Sequence, residues 1–370
     1  MCDAAAKGAT GETRPRLIVV KSPKGVEGYI PLEGARVTAG GVVDITKQDG
    51  SFKLFPLSPG YYTVSISHER YMPLTIPNVY VYSGKGTDVG SPNLGVFYYL
   101  FVGISDYFPP GPSQPPDYPI GDLNFADDDA ELLHESLYLT NHYAGVVVQK
   151  LTNADATKAR IEAAIKSIVG SMSDQDYFLM TFSGHGGNLY FVDNPPPGDP
   201  PYDFIVPHDF TGRTEELILD YELKEWVRSR NKNKVFIFDS CYSGGMYRFP
   251  PSLAAKGARP GFSSLARNLN QEGYIVITAS SDTEPSFEDR RWGDGHGVFT
   301  WYFCEGIRSR EADDDGDGII TAREAYEYAA PKVILDTGGQ QHPQFYYRGR
   351  ADVPIYRIPP VTWAKGGKGR

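Results

Sequence analysis

Lys234-Val-Phe-Ile-Phe-Asp-Ser-Cys241-Tyr-Ser-Gly-Gly245 is the stretch that decides the fold, together with Tyr177-Phe-Leu-Met-Thr-Phe-Ser-Gly-His185-Gly-Gly187 upstream. Each is a short apolar run, rich in β-branched and aromatic residues, that stops abruptly at small residues. This is the pattern of a strand buried on both faces. In open α/β sheets the carboxyl ends of parallel strands hold the ligand crevice. Two such strands would therefore present His185 and Cys241 at one sheet edge, although the two residues lie about 56 positions apart in the chain.

A thiol at its ordinary pKa is mostly protonated at neutral pH, so a nucleophilic cysteine needs a base beside it. His185 is placed to be that base. Gly184, Gly186 and Gly187 allow a tight turn and close approach of the backbone to a substrate carbonyl. The N–H groups of Gly186 and Cys241 are the candidate oxyanion donors.

The segments Ser-Gly-His-Gly and Asp-Ser-Cys-Tyr-Ser-Gly-Gly resemble the catalytic segments of caspase-like cysteine peptidases, above all metacaspases and their bacterial relatives. The resemblance continues through Leu151-Thr-Asn-Ala-Asp-Ala-Thr-Lys, Gly295-His-Gly-Val-Phe-Thr and Gln341-His-Pro-Gln-Phe, and spans residues 97–358. The chain departs from the family pattern in lacking the Gln-Ala-Cys of animal caspases. Tyr242 stands where many metacaspases have histidine, and Tyr202 replaces an acid ahead of Asp203 and Asp209. The resemblance implies a cysteine endopeptidase that uses a Cys241–His185 dyad. It also implies a pocket in which Asp129 and Asp239 receive an arginine or lysine side chain. A carboxylate pair suits a guanidinium through bidentate hydrogen bonds and an ammonium as a charge pair. Asp127 and Asp128 read as helix N-terminal acids.

The expected fold class is α/β: a mostly parallel, caspase-like sheet covered by helices on both faces and preceded by a small all-β sandwich. Residues 1–15 read as a flexible leader and 359–370 as a frayed tail. Between 16 and 94 run short strands separated by turn signals such as Asp49-Gly50 and Pro59-Gly60. This region resembles a transthyretin-like, carboxypeptidase-regulatory-like accessory domain. Tyr61, Tyr62, Tyr80 and Tyr82 could line a face for a partner of unknown kind, though strand tyrosines are more often packing. A catalytically silent caspase-like scaffold acting through this sandwich is the alternative to an enzyme.

Asp313-Asp-Asp315-Gly-Asp317-Gly-Ile319-Ile-Thr321-Ala-Arg-Glu324 matches the EF-hand loop pattern, with oxygen ligands at positions one, three, five and twelve and a carbonyl from Ile319 at position seven. Calcium is the expected cofactor. Its ligands would be Asp313, Asp315, Asp317, Ile319, Thr321 and Glu324.

Across 370 residues the net charge is −10, which disfavours nucleic-acid and anionic-membrane partners and is compatible with protein or peptide substrates carrying basic residues. Three cysteines are too few and too scattered for a disulfide framework. Cys304 reads as a small buried hydrophobe. No signal segment or long apolar run appears, so a cytoplasmic location is expected as encoded. Cys2 would alternatively suit a mature lipoprotein start, with export and lipid anchoring. The remaining histidines show no paired metal spacing and read as surface or local hydrogen-bonding residues. Residues 246–272 read as a long exposed loop without aspartate, in which Lys256 and then Arg267 are the candidate self-processing sites.

Overall fold

A computed structural model describes residues 11–14, 19–21, 29–69, 71–90, 92–107, 120–139, 146–189, 202–240, 265–281 and 284–359. The chain divides into two compact units. One comprises residues 1–96 with 142–147 and 359–370, and the other 97–141 with 148–358.

The first unit is all β among its described residues. Its main sheet is antiparallel, with strand order Val42–Ile45, Arg36–Ala39, Gly60–His68 and Tyr71–Val81. Two three-stranded sheets accompany it. Alternation puts Val37, Ala39, Val64, Ile66, Val79 and Val81 inward, onto a core shared with Leu32, Phe52, Leu54 and Leu94. Tyr61 and Tyr80 are register partners on the opposite face. Tyr71–Val81 is an 11-residue strand although it contains Pro73 and Pro77, which disguise it in the sequence. It is an edge strand, where a missing N–H costs no ladder bond, and both prolines are exposed.

The second unit is built on a six-stranded sheet in the order Val146–Thr152, Phe97–Gly103, Tyr177–Gly184, Lys234–Ser240, Ile275–Thr278 and Gln344–Tyr346. The pairings from Phe97–Gly103 to Ile275–Thr278 are parallel, and Gln344–Tyr346 closes the edge antiparallel. Every residue of Phe97–Gly103 and of Ile275–Thr278 is buried, so both faces of the sheet are covered. The helices that cover them form two packed groups. Ala126–His134 packs with Val298–Ser309, which packs with Ala322–Asp336. Lys158–Ser171 packs with Asp220–Val227, which packs with Leu265–Gln271. This is the expected mixed α/β architecture with a mainly parallel sheet.

Leu265–Gln271 corrects one expectation. Part of the segment read as a continuous exposed loop is a helix, with Leu265, Ala266 and Leu269 buried on one side. Arg267 is on its exposed side. Glycine and proline upstream hide so short an amphipathic pattern.

Candidate active site

The two decisive strands end together. Ser183 pairs with Asp239 and Gly184 with Ser240, and the Ser240 hydroxyl donates to the Gly184 carbonyl at 2.9 Å. His185 follows the first strand directly. Cys241 follows Ser240 in the chain and, like Lys256, lies outside the described residues.

His185 is held on three sides by residues upstream of the helix Ala126–His134. Its backbone N–H donates to the Tyr107 hydroxyl at 2.7 Å, and its imidazole tilts against the Tyr107 ring at 4.7 Å between centroids. Nε2 lies 2.8 Å from the Gly121 carbonyl oxygen. A carbonyl only accepts, so Nε2 carries the proton and Nδ1 is left as the lone-pair nitrogen of the neutral ring. Burial pushes the imidazole pKa down to about 4, and the Gly121 carbonyl opposes this only partly. His185 is therefore neutral at pH 7. Gly184 must be glycine for the same site: a Cβ there would sit 2.5 Å from the Tyr107 hydroxyl oxygen and 2.9 Å from the Phe182 ring.

Asp129 and Asp239 are brought together. Asp129 comes from the first turn of Ala126–His134 and Asp239 from the end of Lys234–Ser240, and each is 2 % exposed. A Cβ on Gly297 would lie 2.6 Å from Asp239 Oδ2 and 3.1 Å from Asp129 Oδ2, so the two carboxylates converge on the space that glycine leaves open. Asp239 accepts from Ser286 Oγ at 2.7 Å, Thr300 Oγ1 at 2.7 Å and Thr300 N at 3.2 Å. Asp129 accepts from Ser183 Oγ at 2.8 Å and Gly297 N at 3.0 Å. These donors are all neutral. Burial, and then the charge of Asp129, push the Asp239 pKa up to about 7.

Gly186 opens the strand Gly186–Leu189, which pairs antiparallel with Tyr202–Ile205. The acids carried over from the segment after the histidine have scaffolding contacts. Asp203 accepts the first amide of Leu265–Gln271, and Asp209 accepts Lys158 N at 2.9 Å, at the start of Lys158–Ser171.

In the acidic loop, carboxylate oxygens of Asp313, Asp315 and Asp317 all lie within 4.8 Å of one another. Gly318 N donates to Asp313 Oδ2 at 3.1 Å and Ile319 N to Asp317 Oδ1 at 2.7 Å. Asp313 Oδ1 is shielded from solvent and has no hydrogen-bond donor. This all-oxygen set fits a hard cation. Thr321 and Glu324 do not join it through their side chains. Glu324 Oε2 accepts from Thr321 N at 2.8 Å and Oγ1 at 2.7 Å, and Thr321 Oγ1 accepts Glu324 N at 3.2 Å. The same Thr-x-x-Glu spacing is a capping box, which starts the helix Ala322–Asp336. Ile319 lies in the short strand Ile319–Thr321, paired with Pro354–Arg357.

Several groups escape a sequence reading. The Gly121 carbonyl is backbone and has no residue signature, and Tyr107, Ser183, Ser286 and Thr300 look like ordinary core or loop residues. His296 corrects an expectation. Of the two readings, surface or local hydrogen bonding, the first does not hold for it and Nδ1 makes no hydrogen bond: it stands 3.3 Å from Asp129 Oδ1, and the side chain is 12 % exposed. Cys304 is fully buried, which pushes its thiol pKa up to about 12 and leaves it unreactive.

A family model for the caspase domain, peptidase C14, matches residues 100–353. The chain belongs to this family, which points to a cysteine-peptidase type of function and to protein substrates. A crystal structure of a Geobacter sulfurreducens protein is similar at 19 % identity, covering 72 % of this chain and 98 % of its own, with a TM-score of 0.46. A type II cohesin–X-dockerin complex from Acetivibrio cellulolyticus matches at 22 % identity over 23 % of this chain and 55 % of its own, with a TM-score of 0.16. No curated protein matches the chain in sequence. Among the described residues no helix is long and apolar enough to cross a membrane.

Proposed function

We propose that this chain is a cysteine endopeptidase that cleaves after arginine or lysine, with Cys241 as nucleophile and His185 as base and then acid. The observation that carries the reading is the shared strand end, where Gly184 and Ser240 are register partners immediately before these two residues. The neutral imidazole takes the thiol proton as the sulfur attacks the substrate carbonyl. The oxyanion is met by the N–H groups of Gly186 and Cys241. The imidazolium then gives its proton to the leaving amine, and water releases the acyl group by the same route in reverse.

The acidic pair supports the specificity. Two carboxylates facing each other in a buried site cannot both ionise cheaply, and the raised pKa of Asp239 reflects that cost. A guanidinium or ammonium group entering between them would replace the retained proton. Serine and threonine hydroxyls fix the oxygens for it.

In this reading calcium is held by Asp313, Asp315 and Asp317 with the Ile319 carbonyl, and by Glu324 once it leaves its cap. When bound, the ion supplies fixed charge that joins the ends of Val298–Ser309 and Ala322–Asp336. The chain processes itself at Lys256. The all-β unit is an accessory domain of the transthyretin-like kind.

A cysteine-directed probe and a peptide library, applied to the wild-type chain and to Cys241→Ala, test the assignment. Probe labelling and cleavage after basic residues should both vanish in the variant. Cleavage by Cys241→Ala at the wild-type rate would overturn it.

A further inference from the structure

The acidic pair has a resident basic neighbour. His296 Nδ1 lies 3.3 Å from Asp129 Oδ1, and this is the one ion pair that either carboxylate makes among the described residues. Nδ1 is shielded from solvent and has no hydrogen-bond partner, so its contact with Asp129 is an ionic one whenever the ring is protonated. The residue is also placed by its chain. His296–Gly297 is a two-residue strand paired with Glu288–Asp289, and Gly297 is the residue whose N–H binds Asp129 and where a Cβ would run into both carboxylates.

Other charged and aromatic groups surround the ring. From the helix Ala126–His134 come Asp129 and Asp128; burial and then the charge of Asp127 push the Asp128 pKa up, and His296 opposes this only in part. Asp289 is its register partner on the paired strand. The neighbouring Glu288 is engaged elsewhere, accepting from Asn124 and Phe125. From Val298–Ser309, the Trp301 indole stacks on the imidazole at 5.9 Å and 13°, and the Arg308 guanidinium lies 5.1 Å from that indole. Asp239 and Asp129 both reach the space beside Gly297. These acids, the aromatic face and the one arginine are the groups a substrate side chain would meet beside the ring.

We propose that His296 is the internal counter-cation of the Asp129–Asp239 pair, and that a substrate's arginine or lysine side chain takes over its charge, so that binding of a basic residue expels a proton from His296. The inference rests on reading the pair as the specificity pocket. It makes His296 a specificity-determining residue: a built-in competitor that screens the carboxylates when protonated and exposes them when neutral. Two cations against one carboxylate repel, and the imidazole is the partner able to discharge near neutral pH. The proton goes to buffer, and no bond is made or broken.

The test is calorimetry on the full chain carrying Cys241→Ala, with an acetylated tripeptide amide ending in arginine and its neutral citrulline counterpart. Measurement at pH 6 in buffers of different ionisation enthalpy gives the protons released per peptide bound. The arginine peptide should release more protons from the His296 form than from His296→Gln. Its affinity at pH 6 should be several-fold higher for His296→Gln, with the gap closing by pH 8.5. Equal proton release from both forms, with the arginine peptide still preferred, would overturn the role of His296 and spare the pocket. Equal binding of arginine and citrulline peptides would overturn the pocket reading and this inference with it. A second measurement needs no variant at His296: in its imidazole proton resonance, the titration midpoint should move down when the arginine peptide is bound. A midpoint that stays or rises counts against the proposal.

Discussion

Ser240 and Gly184 are partners across two parallel strands, and the Ser240 hydroxyl closes the last rung with a 2.9 Å hydrogen bond to the Gly184 carbonyl. The bond ties together the two chain positions that precede Cys241 and His185. Ser240→Ala should cost about 1 kcal/mol of stability, the usual net value of such a bond. Loosened strand ends should also lower turnover by up to about tenfold, since misplacement of reacting groups is costly. Denaturant midpoints and initial rates check this. A variant as stable and as fast as wild type would show that the strand ladder alone sets the alignment.

Two buried groups should make stability depend on pH in opposite senses. His185 has a folded pKa of about 4 against 6.5 for the free side chain. Between these values the unfolded chain binds more protons, so its contribution is full above pH 6.5 and is lost as pH falls toward 4. Asp239 is raised from 3.8 to about 7, so the folded chain holds the extra proton, and its contribution declines as pH rises from about 4 to about 7. Because the windows overlap, wild-type stability alone cannot separate them. His185→Gln should steepen the decline of stability with rising pH across this range. Asp239→Asn should turn it into a rise. Chemical denaturation of each variant from pH 4.5 to 7.5 reads both slopes, and identical slopes in all three proteins would refute the burial-driven shifts.

Much of this site was legible because buried parallel strands write themselves as unbroken apolar runs. Tyr177–Gly184 and Lys234–Ser240 begin and end where their hydrophobicity does, and small residues after them mark the sheet edge. Asp129 was legible only through a family resemblance. Its pairing with Asp239 joins a helix start to a strand end beside Gly297, which no local pattern encodes. The role of His296 was hidden for the same reason, since its contact with Asp129 joins distant parts of the chain. Tyr71–Val81 was obscured by prolines that an edge strand tolerates, and Leu265–Gln271 by being barely two turns long.

Asp239→Asn and Asp129→Asn should each weaken the preference for arginine and lysine, by removing negative charge from the pocket wall. The neutral amide of the first variant keeps the contacts with Ser286 and Thr300 approximately in place, so kcat/KM for basic residues should fall by at least about tenfold while neutral residues are affected little. A peptide library displayed at that position measures the change. Preference for aspartate in the wild-type protein would discard the pocket and leave the Cys241–His185 assignment standing.

Calcium should raise the melting temperature of the chain through the acidic loop. A ligand that binds only the folded form stabilises it by about 2.7 kcal/mol at a hundredfold excess over Kd. Asp315→Ala with Glu324→Ala should abolish the increase. Glu324→Ala also removes the capping box, so its calcium-free melting temperature should fall, by about 1 kcal/mol in stability. Thr321→Val separates the two effects, since it breaks the cap and leaves the aspartates. Melting curves that coincide in calcium and in chelator for the wild-type protein would reduce the loop to an acidic turn.

Self-processing should occur at Lys256 in preference to Arg267. Both lie between the cysteine strand and the next strand of the sheet, in a stretch without aspartate. Arg267, however, sits within Leu265–Gln271, whose Leu265, Ala266 and Leu269 are buried against the second unit's core. A peptidase needs an extended segment, so cutting after Arg267 would first require that helix to open. Arg259 is followed by Pro260, which fixes the backbone and removes an N–H on the leaving side. Incubation of the purified chain with calcium, followed by intact-mass analysis, should therefore show one early cut after Lys256. Lys256→Ala should delay processing, Arg267→Ala should leave it unchanged, and Cys241→Ala should remain whole. A first cut after Arg267 would mean that the helix opens more readily than its packing implies. A wild-type chain that stays intact while cleaving peptides would show an enzyme that is active without processing.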